Sequence, residues 1–154
     1  MHKIILANEG ATLNLGTHLA QASQENTIIF LTGTLGAGKT TLVRGFLRAF
    51  GHQGVVKSPT YTLVETYIFN QKQLYHFDFY RLAAPQELEF IGLQDYFTSD
   101  SICLVEWPEH GESLLPPPDL YISLEYAVNN SRSACLQANT KKGETLLQSI
   151  LESR

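Results

Sequence analysis

Positive charge is scarce and dispersed in this chain. Lysine and arginine number 11 against 15 aspartate and glutamate, the formal net charge is -4, and Lys141-Lys142 is the only adjacent basic pair. A mildly acidic chain without a basic patch has no overall pull on nucleic acid, so a role near RNA would run through a partner. Cysteine is equally sparse. Cys103 lies within the apolar run Ile102-Cys103-Leu104-Val105 and Cys135 stands alone, which excludes the common zinc spacings and reads as two packed thiols in a reducing compartment. Apolar runs are short as well. None approaches the ~20 residues of a membrane span, and Ile4-Ile5-Leu6-Ala7 is shorter than a signal-peptide core before it meets Asn8-Glu9-Gly10. The expected location is cytoplasmic, with no membrane partner. Repeats and low-complexity segments are missing, and Pro116-Pro117-Pro118 is a stiff connector too short to mark a domain boundary.

What remains is ordinary globular composition, 44% apolar and 17% charged. A chain of 154 residues can bury roughly 70% of its unfolded surface around one core, so a single domain over 1–154 is expected.

One segment stands out. Gly33-Thr34-Leu35-Gly36-Ala37-Gly38-Lys39-Thr40 is a complete G-x-x-x-x-G-K-T phosphate-binding loop, set between the apolar run Ile28-Ile29-Phe30-Leu31 and helix-forming residues. Glycines at 33, 36 and 38 allow dihedrals closed to residues with a Cβ, so that successive amides turn toward phosphate oxygens. Lys39 and Thr40 then open a helix whose first amides lack intrahelical partners and whose dipole favours negative charge. The expected nucleotide contacts are Gly33, Leu35, Gly36, Ala37, Gly38, Lys39, Thr40 and Thr41. Lys39 is placed for the β- and γ-phosphates, the Thr40 hydroxyl for Mg²⁺ and Thr41 for the α-phosphate.

The flanking pattern predicts an α/β fold. Ile4 to Ala7 reads as a strand, and Thr12 as the N-cap of a helix carrying Leu13, Leu15, Leu19, Ala20 and Ala22 on its apolar face. The helix after Lys39 presents Leu42, Val43, Phe46, Leu47 and Phe50 and stops at Gly51. Thr62 to Phe69 and Gln73 to Phe79, separated by Asn70-Gln71-Lys72, predict a hairpin. A short helix follows Pro85, and Ser101 to Glu106 predicts a buried strand. Strands over Leu120 to Tyr126 and Arg132 to Ala138 flank a turn at Val128-Asn129-Asn130-Ser131, and a last helix starts at about Gly143. Together these predict a three-layer P-loop NTPase with a mixed, mainly parallel sheet and late antiparallel strands, its ligand beyond the carboxyl ends of the strands.

A phosphate loop works with an acidic residue at the end of a buried strand. Ile102-Cys103-Leu104-Val105-Glu106 makes Glu106 the candidate for holding Mg²⁺, directly or through water. The usual pattern ends in Asp, often followed by a Glu that polarises the attacking water; here Trp107 follows. Either another segment supplies the base or hydrolysis is slow. Asp78, in His76-Phe77-Asp78-Phe79-Tyr80-Arg81, is the reserve carboxylate, or else a strand-end cap or partner of Arg81. Thr60, in Ser58-Pro59-Thr60-Tyr61, stands where a switch loop would reach Mg²⁺ or the γ-phosphate, or else marks a simple turn. His76 and His110, beside aromatics, read more readily as hydrogen-bonded structure than as bases.

Gly33 to Thr41, Ser58-Pro59-Thr60-Tyr61, His76 to Arg81 and Glu106-Trp107-Pro108-Glu109, in this order and in a chain of this size, resemble the TsaE family. That family is the bacterial P-loop ATPase of tRNA threonylcarbamoyladenosine modification. The resemblance implies a cytoplasmic, Mg²⁺-dependent ATPase of low intrinsic activity. Its partner would be the two-subunit transferase (TsaB and TsaD type proteins) that moves threonylcarbamoyl from its adenylate onto N6 of adenosine 37 in tRNAs reading codons that begin with A. It would meet tRNA only through that complex, and its nucleotide cycle would support or reset the transferase. The resemblance makes Lys39 the phosphate lysine, Thr40 and Glu106 the magnesium residues and Asp78 a residue needed for hydrolysis; catalysis is then expected of Lys39, Asp78 and Glu106, with ATP and Mg²⁺ as cofactors. Thr60 falls in the switch-like segment, and Arg132 is a candidate nucleotide contact.

Two other readings stand beside it. A nucleoside- or nucleotide-type kinase shares the loop and the size, but such enzymes clamp donor and acceptor with several lid arginines, and this chain has arginine only at 44, 48, 81, 132 and 154. A nucleotide-binding module without turnover would fit the missing second acid. ATP is expected over GTP because no N-K-x-D guanine-reading motif is present; Asn139-Thr140-Lys141-Lys142 does not match it.

Overall fold

The computed structural model describes residues 1–70 and 72–153, apart from the Glu112 side chain. Strands β1 (His2–Leu6), β2 (Thr27–Gly33), β3 (Val64–Phe69), β4 (Lys72–Asp78), β5 (Ser101–Glu106), β6 (Leu120–Tyr126) and β7 (Arg132–Ala138) form one sheet in the order β1-β7-β6-β2-β5-β4-β3. The four central strands β6, β2, β5 and β4 run parallel, while β7, β1 and β3 extend the two sides antiparallel. β5 is buried at every residue, the pattern of a strand covered on both faces. The edge strand β3 has no buried residue.

Helices α1 (Glu9–Ala22), α2 (Lys39–Ala49) and α4 (Lys141–Glu152) cover one face of the sheet. Leu15 and Leu19 of α1, Leu42 and Phe46 of α2, and Leu146 and Ile150 of α4 pack with Ile29, Leu31, Leu104, Ile122 and Leu136. Each such side chain contributes about 1.5–3 kcal/mol through burial. The opposite face is covered by the segment holding α3 (Glu87–Phe90) and several 3-10 turns, where Leu88 and Leu93 meet Phe30, Phe77, Phe79, Cys103 and Val105. Three layers therefore stack over β2, β5 and β4. Over β1, β7 and β6 that second face stays open, with Lys3, Ile5, Tyr121 and Gln137 exposed. Among the described residues, no helix is long and apolar enough to cross a membrane.

α1 and α2 touch backbone to backbone. A Cβ at Gly16 would lie 2.2 Å from the Leu42 carbonyl oxygen, and one at Gly45 would lie 2.2 Å from that of Leu13. This contact presses α2, and the loop that opens it, against the rest of the domain.

Several sequence expectations shift. Thr12 does not cap α1: Asn8 does, its Oδ1 accepting the Ala11 N–H at 2.9 Å, and Thr12 is buried one turn inside. Asparagine caps as well as threonine, and the chain turns from β1 into the helix without a longer loop. α4 likewise begins at Lys141 rather than about Gly143, because Thr140 accepts the Gly143 N–H at 3.1 Å. The hairpin forms with Val64 paired to Phe77 and Phe69 to Lys72; of its connector Asn70-Gln71-Lys72, Asn70 is left-handed at φ 54°, Lys72 opens β4 and Gln71 lies outside the described residues.

Candidate functional site

β2 ends at Gly33 and α2 starts at Lys39, so the phosphate loop spans the strand-to-helix turn at the carboxyl edge of the sheet. Gly33, Gly36 and Gly38 hold φ values of 122°, 81° and 112°, where a side chain would be strained. Gly33 has a second reason to be glycine: a Cβ there would lie 1.9 Å from the Leu124 carbonyl oxygen of β6. Among the described residues no side chain caps α2, so its first amides keep their capacity for an anion.

Register brings two carboxylates to the same edge. Glu106, last in β5, pairs with Asp78, last in β4, and on its other side with Leu31 of β2. Side chains alternate along a strand, so Asp78 and His76 share one face. That face is the one α2 covers. Thr40 Oγ1 donates to Glu106 at 3.0 Å to Oε2 and 3.2 Å to Oε1, and His76 Nε2 lies 2.6 Å from Glu106 Oε2. All three residues are buried or half-buried.

Asp78 gathers the 58–61 segment. Its Oδ2 accepts from the Ser58 hydroxyl and from Thr60 Oγ1 at 3.1 Å, while its Oδ1 accepts the Tyr80 N–H at 2.9 Å. Burial, and then the neighbouring Glu106, push its carboxyl above the usual range, against the opposing pull of the Tyr80 and Thr60 hydrogen bonds and of His76. Asp78 is thus a strand-end cap and a cavity residue at once. Arg81 is not its partner; that guanidinium lies over the Tyr61 ring, 4.5 Å from its centroid.

The Lys39 ammonium donates to the carbonyls of Gly33 at 2.7 Å and Thr34 at 3.0 Å, and sits 4.5 Å from the Trp107 ring centroid. Burial lowers its pKa, and the surrounding Glu106, Glu109, Asp78 and Glu125 offset part of that shift. Trp107 follows Glu106 in a left-handed conformation, φ 57°, which turns its ring back over the loop between Tyr80 and His110. His110 is held by the Phe79 carbonyl at 2.7 Å, the structural role its setting suggested.

Leu35, Gly36, Gly38, Lys39, Thr40, Thr41, Ser58, Thr60, Asp78, Tyr80, Glu106 and Trp107 line one cavity of about 250 Å³. Two of the expected contacts stand behind it: Gly33 offers its carbonyl to Lys39, and the Ala37 side chain is buried in the core. Arg132 is not among the lining residues: it donates to the carbonyls of its own turn and stacks on Tyr126 at 4.4 Å. Among the described residues no arginine lines the cavity, and Arg44 is paired with Glu9 at 2.7 Å. Arg154 lies outside the described residues.

Two contributors escaped the sequence reading. Glu125 and Tyr126 brace the phosphate loop from β6, Glu125 accepting from the Thr34 hydroxyl and Tyr126 donating to the Leu35 carbonyl at 3.2 Å. Ser58 and His76 are the partners of the two carboxylates. His76 is thus hydrogen-bonded structure, as its setting suggested, and Ser58 belongs to the segment expected to act as a switch.

Chemically, the cavity offers a lysine, free helix amides and two carboxylates to one small volume. The hydroxyl of Thr40 and the carboxylate of Glu106 are hard oxygen donors suited to Mg²⁺, which takes one or two protein oxygens and completes its shell with phosphate and water. Among the described residues no cluster of three or more His, Cys, Asp or Glu could hold a metal ion, so a cation here would lean on phosphate oxygens.

Comparison with known proteins agrees with this architecture. Residues 6–134 match the family described as Threonylcarbamoyl adenosine biosynthesis protein TsaE. A Haemophilus influenzae protein named tRNA threonylcarbamoyladenosine biosynthesis protein TsaE is 46% identical over 150 residues, 94% of each chain. A Bacillus subtilis protein of the same name is 37% identical over 123 residues, 80% of this chain and 77% of that one. The crystal structure of YdiB from Bacillus subtilis is similar at a TM-score of 0.84 and 29% identity, covering 99% of this chain and 95% of that one. With the loop, the 58–61 segment and both carboxylates all inside the matched residues, the chain belongs to the TsaE family of threonylcarbamoyladenosine biosynthesis proteins.

Proposed function

We propose that this protein is a slow, Mg²⁺-dependent ATPase that supports a two-subunit threonylcarbamoyl transferase in forming threonylcarbamoyladenosine at position 37 of tRNAs reading codons that begin with A. The observation that carries the reading is the convergence of Lys39, Thr40, Asp78 and Glu106 on one cavity. In it, the loop amides and Lys39 bind the phosphates. Thr40 and Glu106 hold Mg²⁺, which when bound supplies neutralisation of phosphate charge. Asp78, held by Ser58, Thr60 and the Tyr80 amide, orients the 58–61 segment at the cavity wall and would support hydrolysis.

The same geometry supports slow turnover. Glu106 is engaged by Thr40 and His76, Asp78 has three donors, and no described arginine reaches the cavity to stabilise developing charge. A partner that adds a cation would speed the reaction, as arginine fingers do in related NTPases. The acidic, patch-free composition fits contact with tRNA through the transferase rather than directly.

Reconstituted modification tests this. With transferase, threonylcarbamoyl-adenylate and tRNA, modified tRNA per transferase should rise several-fold when this protein and ATP are both added, and Lys39→Ala should give no rise. Equal yields with and without the protein would overturn the reading.

A further inference from the structure

We propose that His76 is a positioning residue for the magnesium site, holding the Glu106 carboxylate in place through Nε2. The inference rests on the proposed role of Thr40 and Glu106 as magnesium residues and extends it to a side chain that touches neither nucleotide nor metal.

His76 is fully buried, and its ring makes one polar contact among the described residues, Nε2 to Glu106 Oε2 at 2.6 Å. Nδ1 is buried without a partner among the described residues. A carboxylate only accepts, so the proton belongs on Nε2 and points at Glu106, leaving Nδ1 as the idle acceptor. The opposite tautomer would set two acceptors face to face and bury an unpaired N–H.

Packing does not explain the residue. At a site with no solvent exposure, next to Leu104 in the β4–β5 register, a leucine or phenylalanine would fill the space without an idle buried nitrogen such as Nδ1. The strand geometry instead explains what the imidazole does. His76 lies two residues before Asp78 on the face shared with Glu106, and spans the gap between β4 and β5 to the carboxylate.

Glu106 has only two direct side-chain partners among the described residues, Thr40 and His76. Thr40 is itself a group a cation would claim. His76 is therefore the one partner that can fix the carboxylate without competing for the metal, and it aims Glu106 at Thr40. Partners of this kind behind metal ligands typically alter metal affinity by about 10–100-fold when removed.

Calorimetric titration of ADP at graded Mg²⁺, with an EDTA arm, tests the inference. His76→Phe should raise the Mg²⁺ concentration for half-maximal enhancement by about 10-fold or more, with ADP affinity in EDTA unchanged. His76→Gln, whose amide N–H can occupy the place of Nε2, should return it to near wild type, and His76→Asn, whose amide falls short, should not. If His76→Phe does not fold, the Gln and Asn pair decides. Mg²⁺ dependence in the wild type and loss of it in Glu106→Ala, together with equal Mg²⁺ requirements in the His76 variants and wild type, would overturn the role of His76 alone. A wild-type protein indifferent to Mg²⁺ would overturn the magnesium reading and this inference with it.

Discussion

The Lys39 ammonium lies 4.5 Å from the Trp107 ring centroid while donating to the Gly33 and Thr34 carbonyls. Phosphate at the loop would compete for that ammonium and change the charge facing the indole. Trp107 is the only tryptophan, so its fluorescence reports the site. ADP or ATP should alter the emission, and Lys39→Ala should weaken or abolish the response; unchanged emission at saturating nucleotide would place Trp107 away from the ligand.

The same lysine sets a pH dependence. Burial lowers its pKa below 10.5, and a bound phosphate favours the charged form, so the complex holds the proton more tightly than the free protein. Nucleotide affinity measured by calorimetry should fall with rising pH from a midpoint below 10.5, and Lys39→Ala should remove that limb.

Asp78 carries a trade between stability and activity. Its folded-state pKa is raised above 3.8 by burial and by Glu106, so stability falls as pH rises through the window from 3.8 to the folded value. Asp78→Asn should keep or raise the melting temperature at pH 7 while cutting ATP hydrolysis about 100-fold, the scale of a lost proton-accepting or positioning group. Unaltered hydrolysis would remove Asp78 from the reaction.

How far the site was legible depends on how local each relation is. The loop from Gly33 to Thr40 encodes strand, turn and helix in consecutive residues, and Ile102 to Glu106 shows its own burial and its terminal carboxylate. Asp78 and Thr60 could be named but not joined, because their hydrogen bond depends on a left-handed Leu63, φ 71°, that turns the 58–61 segment back toward β4. Glu125 and Tyr126 were invisible: they meet the loop only because β6 lies beside β2, a neighbour 91 residues away. Helix starts misled because Asn8 and Thr140 each lie within a few residues of the expected boundary, where several good caps compete.

Helix contact offers a test of the scaffold. Gly45→Ala gains about 1 kcal/mol of helix propensity yet places a Cβ 2.2 Å from the Leu13 carbonyl oxygen. Backbone on both sides leaves no flexible atom to yield, so a net loss of about 2 kcal/mol or more is expected in chemical denaturation. A stabilised variant would mean that α1 and α2 do not meet there.

The two thiols should behave differently. Burial pushes Cys103 up to about 12, whereas Cys135 is half-buried. At pH 8 the thiolate fraction at Cys103 is then on the order of 10⁻⁴, so a disulfide reagent should count one reactive thiol in the native protein and the second only after denaturation. Equal rates would contradict the packing of Cys103, in β5, against the 93–97 segment.

Phosphate release from ATP, with Mg²⁺ present, by the purified protein alone and with the two-subunit transferase, probes the proposed activity most directly. The expected result is slow release alone, acceleration of at least several-fold with the transferase, and loss of both in Lys39→Ala, with the phosphate appearing as the inorganic ion rather than on a small acceptor. No acceleration by the transferase, or transfer of the γ-phosphate to a metabolite, would contradict an ATPase whose output depends on its partner.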